Sequence, residues 1–363
     1  MFRFAMASLS PVALLVAACL SGGIWPALAL VHVTLVVWAL DRWWPYVLPE
    51  YDTPACQAFG HRLTLVLGGL HFPLLALGVW SLAGAGPLDV GQKLALGLAL
   101  GLYLGQVGNS NAHELIHAPD RWSRRLGKAV FVSLLFGHHA SAHPKVHHVH
   151  VASDGDPNSA RLGQGFYRFW PRAWTGSFCA GWRAETAARA RQMPRPSVLS
   201  HPYLVYCGGA LATLAVSHAL AGAAGVAVLI ALAGYAQMQL LLADYIQHYG
   251  LRRVRRPDGR LQPAGPQHSW NAPHWYSSAM MLNAPRHSDH HDNPARRFPA
   301  LRLDARTMPV WPHAMPVMAA LALCPPLWRR RMDSLAARWQ RRINADAALG
   351  PRKHGSAATD LPL

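Results

Sequence analysis

Six long apolar runs constrain the fold of this 363-residue chain more than any other feature of its sequence. Each run approaches the roughly 20 residues that a helix needs to cross about 30 Å of hydrocarbon. Only Ser21-Gly22-Gly23 separates the first two runs, so they form a helical hairpin and not a cleaved signal peptide. The sequence predicts an all-α integral membrane protein with six transmembrane helices, at about residues 6–20, 24–40, 63–82, 90–107, 203–220 and 226–242.

The charge of the chain indicates its orientation. Hydrophobic residues make up 52% of the chain and charged residues only 14%, which is typical of a membrane protein. The net charge of +17 is then explained by the Lys and Arg residues of its cytoplasmic side. Nucleic-acid binding would also explain the charge, but the sequence contains no nucleic-acid-binding module. The loops near 21–23, 83–89 and 221–225 contain no Lys or Arg, in contrast to the opposite side. The positive-inside rule predicts that both termini of this multi-pass chain are cytoplasmic, in a bacterial-type inner (plasma) membrane.

The apolar runs divide the chain into five parts. Residues 1–117 carry four transmembrane helices and end in a histidine motif, 118–202 form a cytoplasmic segment, 203–243 carry helices five and six, 244–340 form a second cytoplasmic segment, and 341–363 form a poorly ordered tail. Residues 41–62 are predicted as a polar loop and 83–87 as a short turn. Residues 310–327 are predicted as an interfacial or buried segment, because their prolines disfavour a seventh continuous span. The five cysteines form no CxxC pair, so no zinc knuckle or thioredoxin motif is expected.

Nine histidines concentrate in four polar stretches on the predicted cytoplasmic side. Helical spacings of three and four residues would put neighbours on one face, so that His287 would lie beside both His290 and His291. Imidazole is the commonest protein ligand for transition metals. The predicted metal ligands are His113 and His117 in HELIH, His143, His147 and His148 in HPKVHH, His248 in DYIQHYGL, and His287, His290 and His291 in RHSDHH.

Nine imidazoles exceed the coordination number of one metal ion, and over two ions they give four or five each. HExxH is also the signature of zinc proteases, but such a site would need only one more ligand. Imidazole suits iron and copper as well, and two irons with open positions would support oxygen activation. Glu114, Asp244 and Asp289 are predicted to support the ligands from behind, although one carboxylate could ligate or bridge. Asp154, Asp156 and Asp292 lie near in sequence, and the flanking His138, His139 and His150 are left out of the ligand set.

These residues resemble the membrane-bound alkane hydroxylase (alkane 1-monooxygenase) family of non-haem di-iron enzymes, which is related to fatty acid desaturases and to xylene monooxygenase. The resemblance covers about residues 100–340 and the six-span plan. The matching stretches are HELIH at 113–117, HHVHVASDGDPNSARLGQGFYRFWPRAWTGSF at 147–178, DYIQHYGL at 244–251, RHSDHHDNPARRF at 286–298 and CPPLWRRRMD at 324–333.

The resemblance implies hydroxylation of the terminal methyl of an alkane, with O2 as co-substrate and two iron ions held by the nine histidines. Electrons would come from an NAD(P)H-dependent reductase through a separate rubredoxin or ferredoxin, for which the Arg-rich face is suited. The hydrophobic substrate would enter from the membrane lipid, into a pocket lined by the cytoplasmic ends of the spans, with bulky candidates such as Trp38 or Leu104. The chain departs from the family pattern at Ala142, at Pro144-Lys145-Val146 and at Ala284-Pro285, so these positions bear on the substrate.

Two other classes share some of these features. A fatty-acid desaturase or a methyl hydroxylase of the xylene monooxygenase type would use the same metal site, and its product would be an alkene or a benzylic alcohol. A non-enzymatic metal-binding membrane protein or transporter would instead place histidines along a path through the spans. The scattered positions of His32, His71 and His218 disfavour such a path.

Overall fold

The computed structural model describes residues 1–85 and 88–348, and over that range the only regular secondary structure is helical, with two isolated β-bridges in the connecting segments. Thirteen helices are used below: α1 (Phe2–Ser21), α2 (Trp25–Trp43), α3 (Pro54–Trp80), α4 (Val90–Tyr103), α5 (Asn109–His117), α6 (Arg121–Ser133), α7 (139–150), α8 (Phe166–Ala190), α9 (Pro202–Gln247), α10 (Trp275–Met280), α11 (His287–Asp292), α12 (Met315–Ala322) and α13 (Pro325–Ala348). Short π-helical turns lie within α2 and α7, follow α3, and join α4 to α5.

Four described helices are long and apolar enough to cross a membrane: α1, α2, α3 with part of the turn that follows it, and α9. Gly22 and Gly23 join α1 to α2, and both have positive φ angles, of 61° and 59°, that favour glycine. The predicted fourth span, 90–107, is helical but is not among these four. The six-span count therefore stays a prediction.

The 46-residue helix α9 is a helical hairpin and not one straight rod. Ala221 and Gly222 leave the helical conformation, and Gly222 has φ 60° and ψ −152°. A Cβ atom at Gly225 would lie 2.3 Å from the carbonyl oxygen of Ser217. Residues eight positions apart in a straight helix are about 12 Å apart. The chain therefore reverses at the boundary between the fifth and sixth predicted spans.

The predicted loop at 41–62 is too long at both ends. Asp41 lies inside α2, is buried, and accepts hydrogen bonds from the backbone N–H groups of Tyr276 (2.9 Å) and Ser277 (3.2 Å). At the other end α3 begins at Pro54, nine residues before the predicted apolar run. The Thr53 hydroxyl accepts a hydrogen bond from the Cys56 N–H at 3.3 Å and caps this helix. The observed loop therefore covers only residues 44–53, between the end of α2 and the start of α3.

The C-terminal region is more ordered than the sequence predicts. Residues 341–348, assigned to a poorly ordered tail, continue α13, whereas 349–363 lie outside the described residues. The proline-rich segment 310–327 contains the eight-residue helix α12, which agrees with the prediction that it is no further span. Of the predicted turn 83–87, Gly86 and Pro87 lie outside the described residues.

The fold brings the four histidine stretches to one end of the helices. A π turn, Leu104–Gly108, carries the chain from the apolar α4 directly into the histidine-bearing α5. Helix α9 packs against α3, α4, α6 and α8, and His248 follows its last residue. A buried cluster that includes Phe166, Tyr245 and Trp328 joins α8, the end of α9 and α13. This packing fixes the segments from which the histidines project.

Candidate metal centre

The structure brings all nine predicted histidines together in two adjacent groups. Within each group, one nitrogen from every imidazole lies within 4.8 Å of all the others. The groups touch, since the ring centroids of His148 and His291 are 4.5 Å apart. Site A consists of His113, His117, His143, His148 and His290, and site B of His147, His248, His287 and His291.

A π turn in α7 decides which histidines share a site. His143 and His148 are five residues apart, and the i→i+5 hydrogen bonding of the turn His143–His147 brings them to one side. Pro144 lies at the start of this turn, and it lacks the N–H that an α-helix would use there. His147 consequently belongs to site B. An α-helical interpretation of this motif cannot predict that division.

The three histidines of the short helix α11 are divided between the two groups. His287 and His291, four residues apart, both belong to site B, whereas His290 belongs to site A. His287 lies beside both of the others, as the helical spacing predicts, with ring centroids 5.8 Å from His290 and 4.5 Å from His291. Helix α11 lies between the two sites and contributes to both.

Eight of the nine imidazoles are held in the neutral form, which is the form that binds metals. Burial and then repulsion between neighbouring rings lower the pKa of His148 to about 2 and that of His117 to about 4. Burial lowers the pKa of His248 to about 3. The same causes hold five other pKa values well below the ordinary value: those of His113, His143, His287, His290 and His291.

The ring nitrogens converge in a way that hydrogen bonding does not satisfy. The Nε2 atom of His143 lies 2.7 Å from that of His113 and 2.9 Å from that of His148. A neutral imidazole Nε2 has either one hydrogen or one lone pair, so it cannot satisfy both neighbours. The Nε2 atoms of His117 and His147 are buried without any hydrogen-bond partner.

A metal ion fits this arrangement better than a hydrogen-bond network does. With metal–nitrogen distances of about 2.1 Å, two ligand atoms at a right angle are about 3 Å apart. In site B the Nε2 atom of His287 lies 3.1 Å from that of His248 and 3.0 Å from that of His291. The donor sets therefore suit two ions, one for each site.

Asp156, one of the carboxylates that lie near the histidine motifs in sequence, is the one that orients an imidazole. His147 Nδ1 lies 2.9 Å from Asp156 Oδ2, and the Ser159 hydroxyl donates to the same oxygen at 2.6 Å. Burial disfavours a charged His147, but Asp156 and then Asp244 outweigh it and raise the pKa of His147 above its ordinary value. Its position nine residues after His147, in the turn SDGDPNS, is the only sequence signal for this contact.

The three carboxylates that were predicted to support the ligands make other contacts. Glu114 accepts from the Phe298 N–H at 3.1 Å, and Asp244 accepts from the Asn158 side-chain amide at 2.6 Å. Asp289 accepts from the Arg296 guanidinium and from the Arg302 N–H at 3.0 Å. These contacts tie together the segments that carry the histidines, and the charge of Asp244 also acts on His147. Support of an imidazole by Glu114 or Asp289 stays a prediction. Burial raises the pKa of Glu114 to about 7.

The three ambiguous histidines lie outside both groups. His138 is within 3.3 Å of the Ser177 hydroxyl, and His150 is exposed. His139 stacks on His143 with ring centroids 5.0 Å apart. Its position beside site A makes it part of a cavity wall.

An apolar cavity of about 300 Å³ ends at the two sites. His113, His139, His143 and His287 line one end of it. Leu104, which was suggested as a pocket residue, is buried outside its lining, and Trp38 is 46% exposed. Ala284, one of the positions at which a departure from the family pattern was expected, is one of its walls. Its other walls include Leu102, Met238, Met281, Met315, Ala319 and Leu323.

The family profile of the fatty acid desaturases matches residues 92–321 of this chain. That range begins in α4 and ends in α12, so it includes all nine histidines of the two sites. The match therefore covers the part of the chain that forms the candidate metal centre.

Curated relatives carry more specific names. The chain is 32% identical to alkane 1-monooxygenase 2 of Pseudomonas aeruginosa over 286 residues, which cover 78% of this chain and 75% of that protein. It is 33% identical to alkane 1-monooxygenase 1 of Alcanivorax borkumensis over 280 residues, which cover 76% and 68%. It is 29% identical to the hydroxylase component of xylene/toluene monooxygenase of Pseudomonas putida over 219 residues, which cover 60% and 57%.

Proposed function

We propose that this chain hydroxylates the terminal methyl of a medium-chain alkane at a di-iron centre. The chain belongs to the fatty acid desaturase family and is an alkane 1-monooxygenase-like membrane oxidoreductase. One observation supports this proposal above all others. Two groups of converging imidazoles, eight of the nine held neutral, lie at one end of an apolar cavity. This combination suits oxidation of a substrate without polar groups.

In this proposal the five histidines of site A together would hold one iron ion, and the four histidines of site B would hold the other. Two bound irons supply the activation of O2. The reaction consumes RH, O2, two electrons and two protons, and yields ROH and water. Asp156 keeps the His147 ring in the orientation that directs its Nε2 atom toward site B.

The cavity binds and orients the alkane. Transfer of each methylene group from water to an apolar environment is favourable by about 0.8 kcal/mol, so the chain is held without polar contacts. A cavity of about 150 Å³ binds one benzene molecule. A cavity of about 300 Å³ therefore accommodates roughly twelve carbon atoms. The methyl end would lie beside His113, His143 and His287.

The remaining parts of the system follow the same proposal. Electrons arrive from an NAD(P)H-dependent reductase through a separate rubredoxin or ferredoxin, which binds the Arg-rich face. The helices cross a bacterial-type inner membrane six times with both termini in the cytoplasm, and the two halves of α9 provide the fifth and sixth crossings. The alkane enters from the lipid.

The decisive experiment measures iron and product on the same purified protein. We expect about two irons per chain, and 1-octanol from octane when rubredoxin, its reductase, NADH and O2 are supplied. The matched control is His150→Ala, which alters an exposed histidine outside both sites. Fewer than two irons per chain, or no alcohol from any alkane, would exclude the proposal.

A second candidate is hydroxylation of an arene methyl group, which the likeness to the xylene/toluene monooxygenase component favours. The same assay with p-xylene separates the two functions. A benzylic alcohol formed faster than 1-octanol would support the second candidate, and an alkene from an acyl substrate would indicate a desaturase.

A further inference from the structure

A second apolar cavity continues the line of the first one away from the histidines. It measures about 360 Å³, and its walls include Val90, Leu94 and Gly97 of α4. The first cavity is lined by Leu102 of α4 and by Gly105 and Gln106 of the turn that follows. Along this helix the second cavity therefore precedes the first.

The second half of α9 has the same order. Val228, Ala231 and Leu232 line the second cavity, whereas Met238, Gln239 and Leu242 line the first. Both helices thus pass from the second cavity to the first and on to a histidine of the metal centre. The two cavities are consecutive stretches of one apolar groove between α4 and α9.

Tyr235 is the residue at which the two cavities meet. It lines both of them. Its ring lies against the backbone of Gly101 in α4, where an added Cβ atom would be 2.3 Å from Tyr235 Cδ1. Along α4, Gly101 lies between Gly97, which lines the second cavity, and Leu102, which lines the first. The contact with Tyr235 therefore lies at the boundary between the cavities on both helices. The Tyr235 ring therefore fills the groove at the boundary.

We propose that Tyr235 sets the longest chain that the enzyme accepts, by closing the first cavity against the second. The proposal rests on the proposed alkane hydroxylation. A chain whose methyl end lies at the histidines fills the first cavity and meets the tyrosine ring at roughly twelve carbons. Longer chains must displace the ring, and it has little room to move because Gly101 and the facing helix lie behind it.

The test is competition among alkanes of 8, 12, 16 and 20 carbons in one mixture, with the alcohols quantified by gas chromatography. In Tyr235→Ala the ratio of hexadecanol to octanol is expected to rise at least tenfold over that of the native protein. Tyr235→Phe keeps the ring and should keep the native ratio. Ile230→Ala is the matched control, because Ile230 lies on the same helix, is 53% exposed, and lines neither cavity.

A double variant separates this explanation from general loosening. A Cβ atom at Gly97 would meet only Leu82, at 4.0 Å, so a larger side chain can enter the second cavity there. Gly97→Phe added to Tyr235→Ala should restore the native preference for short chains. An unchanged long-chain ratio in the double variant would overturn the proposal, as would a native ratio in Tyr235→Ala.

A binding measurement keeps the proposal independent of turnover. Purified protein in detergent is equilibrated with the same alkane mixture, washed, extracted and analysed. The native protein should retain chains up to about twelve carbons, and Tyr235→Ala should also retain hexadecane. If no alkane is oxidised but this shift occurs, the proposed function fails and the role of Tyr235 stands. If oxidation occurs but both proteins retain the same chain lengths, the role of Tyr235 fails.

Discussion

At the scale of single residues, the contact between His147 and Asp156 is the most consequential one in the proposed metal centre. Both side chains are almost fully buried, and their closest atoms are 2.9 Å apart. Removing one partner of a buried charged pair leaves the other uncompensated, which costs several kcal/mol in typical cases. The contact also fixes which ring nitrogen of His147 is directed toward site B.

Asp156→Asn is therefore expected to weaken the iron of site B selectively. An amide oxygen is a weaker acceptor than a carboxylate for the Nδ1–H group of His147, and loss of such partners typically lowers metal affinity or activity by 10- to 100-fold. We expect the iron content to fall from about two to about one per chain, measured by elemental analysis after gel filtration.

Asp154→Asn is the matched control, because Asp154 lies in the same turn but its side chain is 83% exposed beside Arg161. It should retain both irons and its activity. Equal iron contents in the two variants would contradict a supporting role for Asp156.

The nine histidines were predictable from sequence because metal ligands recur at helical spacings, as in His113 and His117. Their division into five and four was not, since it depends on a π turn that the spacing of His143, His147 and His148 does not reveal. The role of Asp156 depends on the course of the loop after α7. Spacing predicts the candidate ligands, and backbone geometry decides which of the two groups each of them joins.

At the scale of helices, α7 depends on α8 for its position. Lys145 Nζ donates to Glu185 Oε2 at 2.6 Å, and the Ser141 hydroxyl donates to Glu185 Oε1 at 2.6 Å. Tyr206 of α9 lies 2.7 Å from the same Ser141 hydroxyl. This ion pair therefore anchors the three histidines of α7 to α8.

Lys145→Met should destabilise the protein by about 1–3 kcal/mol, because it leaves the buried Glu185 carboxylate without its cation. The measurement is the midpoint of thermal unfolding in detergent. Lys145→Arg retains the charge and should lose less than half of that stability. Arg125→Met, on an exposed stretch of α6, is a control for loss of a surface cation. A native midpoint in Lys145→Met would mean that the ion pair does not hold α7.

The same carboxylate makes a pH-dependent contribution to stability. Burial opposes the charged form of Glu185, but hydrogen bonds from Lys145 and Ser141 outweigh it and lower its pKa below 4.5. A lowered pKa means that the contribution is complete above pH 4.5 and is lost as the pH falls through the folded-state value. The stability difference between the native protein and Glu185→Gln should therefore be constant from pH 7 to pH 5 and shrink below pH 4.5. A difference that grows on acidification would contradict this sign.

The helices themselves were predictable to different extents. Apolar runs identified α1, α2 and α9, because length and hydrophobicity determine a membrane-crossing helix. The start of α3 was missed because residues 54–62 are polar, although Thr53 and Pro54 form a helix-start signal. Helix α13 was cut short for the same reason, since its Arg-rich end does not stand out as apolar. Hydropathy alone does not define helix ends that extend beyond the apolar runs.

At the scale of the whole molecule, the length of α9 constrains the topology. A straight helix of 46 residues would extend about 69 Å, more than twice the hydrocarbon thickness of about 30 Å. The reversal at Ala221 and Gly222 resolves this mismatch, because each half is then about as long as one crossing. A hairpin returns the chain to the side from which it started. Segments before and after α9 must then share one side of the membrane.

Fusions to alkaline phosphatase and to green fluorescent protein test this topology. We expect phosphatase activity, which requires export, for fusions at Gly23 and Gly222, and fluorescence for fusions at Leu48, Arg195 and Ala348. Arg195 and Ala348 on opposite sides would mean that α9 crosses once. Gly23 and Arg195 on the same side would mean that residues 90–117 do not cross. If α9 crosses only once, the membrane would separate His147 from the other histidines of site B, or the chain would follow a different path. The shared side of all four histidine segments therefore depends on this outcome.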